Sequence, residues 1–312
     1  MIKRMLSRLM CTMPRRFRNY YYYRMCMSLI FPEIIHIEST NACNAKCIMC
    51  ARDEMKRKVG FMDFSLFKKI IDECSKYREL QEVHLHGFGE PLLDKMIIER
   101  VTYAKKRGIK RVYFVTNASL LTSVCSKDLL EAGIDMVKFS IYGNTPETYE
   151  VIHRGLKFSL VEKNIRDFIE LRNKLKKKTL VKIQFLPQDI NRHERDDFMK
   201  KWAFIIDKHG GDSVEEFFIH NWIYGKNYRH VDSDVMKKKK SCGIPFVSLQ
   251  LLWDGNVTAC CYDYEGRMKF GNLKSNSIEK IWNSLEFRIF RKLHQNSLFK
   301  SLEVCTMCDQ LR

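Results

Sequence analysis

Cys43, Cys47 and Cys50 fall within eight residues, spaced C-x3-C-x2-C. Thiols this tightly bunched, with no secretory signal in the chain, read as metal ligands and not as a disulfide framework. Three thiolates occupy three corners of a four-iron cubane and leave one iron without a protein ligand. Such an open position is a place for a substrate or cofactor to bind. A zinc knuckle or three unrelated buried thiols are the competing readings. Structural zinc takes four ligands, usually in paired C-x2-C or C/H form, and no fourth ligand lies close in the sequence.

Other residues carry chemistry of their own. In His86-Gly87-Phe88-Gly89-Glu90-Pro91 the glycines allow close backbone approach to a ligand, and the carboxylate of Glu90 can receive a cationic amine. Taken alone, the same run is an ordinary turn. Toward the C-terminus stand Cys242, the pair Cys260-Cys261, and Cys305-Thr306-Met307-Cys308. Asp254-Gly255 between apolar flanks reads as a hairpin turn that presents Cys260 beside Cys242. The terminal C-x2-C then closes a four-thiolate site, suited to zinc or to a fully ligated iron–sulfur cluster. Cys11, Cys26, Cys74 and Cys125 stand apart and read as ordinary thiols.

These residues must be positioned by the elements between them. Short β-branched or apolar runs at 34–38, 83–86, 111–116, 136–142, 180–186 and 215–220 read as strands. Helical patterns lie between them. One is capped by Asp63, with Leu66, Phe67, Ile70, Ile71 and Cys74 on one face. Others cover 94–107, 126–132 (closed by Gly133), 158–177 and 192–209. Six strand–helix repeats predict an α/β fold with parallel strands and right-handed crossovers. Eight repeats would close a barrel, so six predict a partial (β/α)6 TIM-like barrel, its functional loops at the C-terminal ends of the strands. The expected organisation is a basic segment over 1–32, the barrel over 33–225, a polar linker over 226–241 and a small cysteine-bearing domain over 242–312.

The cysteine loop resembles the signature of radical S-adenosylmethionine (SAM) enzymes, and the run at 87–91 is similar to their Gly-Gly-Glu-Pro motif, with Phe88 in place of the first Gly. Thr116-Asn117-Ala118 and Ser140-Ile141-Tyr142-Gly143 stand where the family often has Thr-Asn-Gly and Ser-Ile-Asp-Gly. The resemblance implies a [4Fe–4S] cluster on Cys43, Cys47 and Cys50 whose open iron chelates SAM. It implies Gly89 and Glu90 at the SAM amine, with Asn117 and Ser140 as neighbours. Arg154 would clamp the SAM carboxylate, the alternative being a solvated side chain at a helix end. Met49 would lie beside the adenine, and Gln184 and Leu186 would flank the nucleoside or pack in the core. Residues 242–308 resemble the SPASM extension of that family, in which Gly-x4-Cys matches Gly255 to Cys260. That implies one auxiliary [4Fe–4S] cluster on Cys242, Cys260, Cys305 and Cys308, with structural zinc as the alternative.

The function this resemblance implies is reductive cleavage of SAM to a 5′-deoxyadenosyl radical, which takes a hydrogen atom from a substrate C–H bond. The auxiliary cluster would accept an electron in a net oxidation, bind the substrate or brace the fold; for the first role a base is needed, and Asp263 and the neighbourhood of Glu90 are the candidates. Substrate hypotheses are a small polar metabolite or sugar, then a ribosomally made peptide. A non-enzymatic metal-binding or RNA-binding protein is the reading from another class. A flavodoxin or ferredoxin is the expected electron donor.

The net charge of +18 fits nucleic acid, a membrane or acidic substrates, but also merely solvated basic faces. No RNA-module signature is present, so no specific nucleic acid is expected. The first 32 residues carry Lys3, Arg4, Arg8, Arg15, Arg16, Arg18 and Arg24 with no acid. Such a segment either lies on an anionic membrane surface or packs as a helix across the domain. The bunched cysteines predict a reducing compartment, hence a cytoplasmic protein with peripheral membrane contact as the variant reading.

Overall fold

A computed structural model describes residues 13, 29–218, 242–306 and 308. The rest of the basic N-terminal segment, the 226–241 linker, Cys11 and Cys26 lie outside the described residues.

Each strand alternates apolar and polar side chains, and this period-two pattern divides the sheet into two faces. Ile35 and Ile37 on β1 (Ile34–Ile37), Val83 on β3 (Glu82–His84) and Val112 and Phe114 on β4 (Arg111–Thr116) point into one continuous apolar core. Val137 and Phe139 on β5 (Met136–Ser140) and Val181, Ile183 and Phe185 on β7 (Leu180–Phe185) do the same. The alternate positions His36, His84, Tyr113, Lys138, Ser140 and Gln184 face the other way and line a polar lumen. The order β1-β3-β4-β5-β7-β8, with β8 at Ser213–Glu216, is parallel throughout. This is the partial (β/α)6 barrel, open at β8. The short strands β2 (Lys46–Cys47) and β6 (His153–Arg154) form a separate pair at its mouth.

Helices cover the apolar face. α1 (Phe64–Cys74) starts where Asp63 accepts hydrogen bonds from the backbone N–H groups of Ser65 and Leu66, and it buries Leu66, Phe67, Ile70, Ile71 and Cys74. α2 (Ile97–Lys106), α3 (Ser123–Ala132) and α5 (Phe158–Lys174) likewise bury one apolar face, with the short α4 (Pro146–Ile152) before α5. Gly133 caps α3 in the left-handed region at φ 83°. α5 stops at Lys174, short of the expected 177, because Lys176 turns to φ 52° and redirects the chain. The last crossover is shorter than the pattern predicts: a 3-10 turn at Arg192–Glu194 leads into α6 (Arg195–Ile205).

The sheet does not end at β1. α7 (Ile244–Val247) leads into β9 (Ser248–Leu251), which pairs parallel to β1. β10 (Asn256–Thr258) and β11 (Lys269–Asn272) continue antiparallel, giving nine strands in this sheet among the described residues. The β9–β10 hairpin turns at Asp254-Gly255, where Gly255 holds φ +90°. The C-terminal unit is therefore welded to the barrel through the ladder itself. Beyond β11 come α8 (Ile278–Trp282), α9 (Leu285–Gln295) and α10 (Glu303–Thr306). Trp282, fully buried, donates its indole N–H to the carbonyl of Leu29 at 2.8 Å and so ties this unit to the chain entering β1.

Candidate functional site

The loop after β1 brings Cys43, Cys47 and Cys50 together at the C-terminal edge of the strands. Within it, β2 pairs antiparallel with β6, placing Cys47 opposite His153. Ile48 donates its N–H to the carbonyl of Ile152 at 3.0 Å, and Cys50 to that of Cys47 at 3.0 Å. Burial pushes the Cys43 thiol up to about 11 and the Cys47 thiol higher still, each further raised by the neighbouring thiols. Half-buried thiols that oppose one another's ionisation suit a metal, whose charge deprotonates them.

The glycine-rich run packs directly on this loop. A Cβ on Gly89 would stand 2.4 Å from the carbonyl oxygen of Thr40 and 2.6 Å from that of Ala42, both backbone atoms. Glu90 then donates its N–H to the Ala42 carbonyl at 2.8 Å, one residue before Cys43. The Glu90 side chain is buried. Its Oε1 accepts from Thr116 Oγ1 at 2.6 Å and Leu92 N–H at 3.0 Å, its Oε2 from Asn117 N–H at 2.8 Å. Burial raises its pKa while these donors oppose the rise. Three donors fill three of a carboxylate's roughly four acceptor directions, leaving one on Oε2 for an ammonium group. Asn117 completes the link, its side-chain amide donating to Asn44 Oδ1 at 3.0 Å within the cysteine loop.

The remaining sequence candidates are placed more loosely. Tyr142 donates its hydroxyl to Ser140 Oγ at 3.1 Å, and Ser140 in turn faces Gln184. Met49 packs with Ile152 and Leu186 in a small apolar cluster beside Cys47 and Tyr142. Arg154 is exposed, on the strand that backs the cysteine loop.

The second cysteine set gathers around the β10 end. The adjacent thiols of Cys260 and Cys261 share one proton between them, which pushes Cys260 up and draws Cys261 down. Cys242 and Cys308 lie close enough to perturb Cys261 and Cys305, and Cys260 perturbs Cys305. Five thiols thus share one neighbourhood, matching the donor chemistry of an iron–sulfur or zinc site. Asp263 is buried next to them. Its carboxylate accepts the backbone N–H groups of Arg267 and Met268, each at 3.0 Å, so the job visible for it is to hold the loop before β11.

An ion pair couples this region to the barrel. Glu38, at the end of β1 and fully buried, takes both guanidinium nitrogens of Arg57, and Arg57 Nε donates to the carbonyl of Tyr264 at 2.6 Å. The Phe88 N–H reaches the same carboxylate at 3.4 Å.

Two groups of residues are not announced by any motif in the chain. His153 lies 3.2 Å from Cys47 Sγ through Nδ1, while its Nε2 accepts the N–H of Tyr142 at 3.3 Å. That second contact fixes the tautomer, so Nδ1 carries the proton and donates to sulfur. His294 stands likewise 3.5 Å from Cys305 Sγ. The other group is His36, His84 and His86. The spacing of His84, the last residue of β3, and His86, two residues on in extended sequence, is a readable signal that they share a face, and their rings stack at 5.7 Å.

Known proteins resemble this chain over most of its length. The profile of the Radical SAM superfamily matches residues 37–200, and that of the SPASM iron–sulfur cluster-binding domain matches 242–309. The chain is 26% identical to the tungsten-containing aldehyde ferredoxin oxidoreductase cofactor-modifying protein of Pyrococcus furiosus, covering 89% of this chain and 88% of that one. It is 23% identical to the S-adenosyl-L-methionine-dependent 2-deoxy-scyllo-inosamine dehydrogenase of Niallia circulans, covering 89% and 93%. Among solved structures, BtrN in complex with AdoMet and 2-DOIA superposes with TM-score 0.61 at 20% identity, covering 90% of this chain and 94% of that one. Native anSMEcpe with bound AdoMet superposes with TM-score 0.64 at 17% identity, covering 89% and 91%. With a three-cysteine loop braced by a buried carboxylate at one mouth of a partial barrel, and both profiles matching in order, the chain belongs to the radical SAM superfamily, as an enzyme that works with S-adenosylmethionine and [4Fe–4S] clusters.

Proposed function

We propose that this enzyme oxidises a small polar, sugar-type metabolite, with residues 33–225 as the catalytic core and 242–312 as an auxiliary-cluster unit. Cys43, Cys47 and Cys50 hold the SAM cluster; Cys242, Cys260, Cys305 and Cys308 hold the auxiliary one, with Cys261 the competitor for the place of Cys260. What cluster and SAM supply when bound is the abstraction of a hydrogen atom from an unactivated C–H bond.

The chain's own residues do the rest. The free acceptor direction of Glu90 takes the SAM ammonium, Gly89 lets the backbone approach it, and Asn117 fixes the cysteine loop against Glu90. Ser140 and Arg154 address the remaining polar groups of SAM, and Met49 covers the adenine. The observation that carries the substrate class is the polar lumen. His84 and Tyr113 hydrogen-bond at 3.1 Å, and Lys138 sits 5.0 Å over the Tyr113 ring. Such a wall fits hydroxyls, not an apolar side chain. The inosamine dehydrogenase relative supports the same class.

The Pyrococcus furiosus relative favours a second reading, in which the substrate is a cofactor destined for another oxidoreductase. The electron comes from a flavodoxin or ferredoxin in a reducing cytoplasm, and the basic N-terminal segment provides peripheral membrane contact. No described helix is long and apolar enough to cross a membrane. The deciding experiment is deuterium transfer from labelled candidates into 5′-deoxyadenosine with the reconstituted, reduced enzyme. Transfer from a polyol or aminocyclitol supports the first reading. Transfer only from a peptide side chain or a cofactor precursor overturns it.

A further inference from the structure

The lumen holds a cluster of ligating side chains apart from either cysteine set. His36 on β1 stands opposite His84 on β3 in the parallel register, and the ring of His86, two residues later, stacks on that of His84 at 5.7 Å. One ligand nitrogen from each lies within 4.8 Å of the other two. Nδ1 of His36 is 3.1 Å from Nδ1 of His84. Two nitrogens bound to one ion at about 2.0–2.1 Å are themselves separated by about 3.0–3.4 Å, so the pair already has the spacing of a chelate edge.

The proton positions favour a metal as well. Glu82 Oε2 lies 2.9 Å from Nε2 of His84, and Arg111 holds the same carboxylate at 2.7 Å. The Nε2 proton therefore points at Glu82, and Nδ1 presents a lone pair to the cluster. The Tyr113 hydroxyl, 3.1 Å from that Nδ1, is the donor an ion would displace. A carboxylate behind a ligating imidazole is the usual support for one, since it orients the ring and raises its basicity. Nδ1 of His86 is buried with no hydrogen-bond partner, and so is Nε2 of Gln250, the residue facing His36 across the β1–β9 pair. Two orphaned polar atoms in one stretch of buried wall are uncommon in a completed core. Burial holds all three imidazoles below their ordinary range, so their lone pairs are available at neutral pH. Lys138 is the opposing charge; Glu82 and Glu215 offset it.

We propose that His36, His84 and His86 form a three-nitrogen site for a first-row divalent ion of the zinc type, inside the barrel and separate from both clusters. Three protein ligands leave coordination positions open, as catalytic zinc requires. An ion there would take a hydroxyl or carbonyl oxygen of the substrate. That role rests on the small polar substrate proposed above; the ion site itself does not.

The test uses the full chain with its clusters reconstituted anaerobically, so that the cysteines are occupied, and zinc alone as the probe. Metal analysis after gel filtration should return about one zinc per chain, and its X-ray absorption edge should show only nitrogen and oxygen neighbours at about 2.0–2.1 Å. His84→Ala/His86→Ala should lose that zinc while keeping the iron content and the electron paramagnetic resonance of the clusters. Should that variant not fold, Glu82→Gln gives a second reading: zinc affinity should fall roughly 10–100-fold, through the supporting carboxylate. Sulfur in the zinc shell overturns the proposal. So does zinc retained undiminished by the variants, or no zinc retained by the parent chain. None of these readouts needs turnover, so failure here leaves the radical SAM reading standing.

Discussion

The two cysteine regions solve different problems with the same side chain. The first set lies on one loop, braced from three sides. Backbone contacts hold Gly89 and Glu90 against residues 40–42, the Glu90 carboxylate gathers Thr116 and Asn117, and β6 pairs with Cys47. The second set comes from separate chain positions brought together by a hairpin and short helices, and it gathers five thiols. The first set is built into one loop fixed by backbone and carboxylate contacts, whereas the second is assembled from separate stretches of chain, an arrangement looser in sequence.

The sharpest break of this comparison is a pair of cysteine substitutions. Cys43→Ala should abolish SAM cleavage by dithionite-reduced protein and remove roughly four irons per chain. Cys242→Ala should remove about as many while leaving cleavage of SAM in place. Equal loss of cleavage in both would erase the division between the regions.

Gly89→Ala comes next. Its methyl group meets two backbone carbonyls that have nowhere to go. The expected cost is about 1–3 kcal/mol of local stability, read by thermal melting, together with loss of SAM binding. A matching change at Gly255→Ala, whose left-handed turn lies in the looser region, should lower the melting temperature but spare SAM binding.

Glu90→Gln should weaken SAM binding by about 10–100-fold, as removing the charge from one charge-assisted hydrogen bond costs about 1.5–3 kcal/mol. Calorimetric titration with SAM on the cluster-loaded protein measures it.

The smallest effect belongs to the histidines. His153→Phe removes a donor to the Cys47 sulfur, which leaves the cluster more electron-rich and should lower its midpoint potential by an amount on the order of tens of millivolts. His294→Phe, with its longer contact to Cys305, should shift the auxiliary cluster less. Burial draws His153 down to about 3, so it is already neutral across pH 6–8.5 and has no proton to gain or lose there. The first cluster's potential should accordingly be flat over that interval. A slope near 59 mV per pH unit would show a coupled proton and contradict this placement.

Much of the core could be read from the chain. The apolar runs that hold Ile35, Ile37, Val83, Val112 and Phe114 predict strands, the strand–helix repeat predicts that they run parallel, and Asp63 predicts the start of α1, because these signals are legible along the chain. The spacing of Cys43, Cys47 and Cys50 is local too. The continuation of the sheet into β9 is not, since pairing residue 34 with 248 depends on a closure that no neighbouring residue announces. The same distance hid the ion pair of Glu38 with Arg57 and the contact of His153 with Cys47.

The sequence by itself determined the ligand chemistry, the class of fold and the end of the barrel where the chemistry sits. Residue type, short spacing and strand periodicity are properties of the chain. Tertiary structure alone decided that Glu90 holds three donors and keeps one direction free, that His153 faces sulfur with a fixed proton, and that His36 meets His84 and His86. Each of these depends on contacts of a few ångströms between residues that, apart from Leu92 with Glu90 and His86 with His84, come from different elements of the chain, and only packing sets distances of that size.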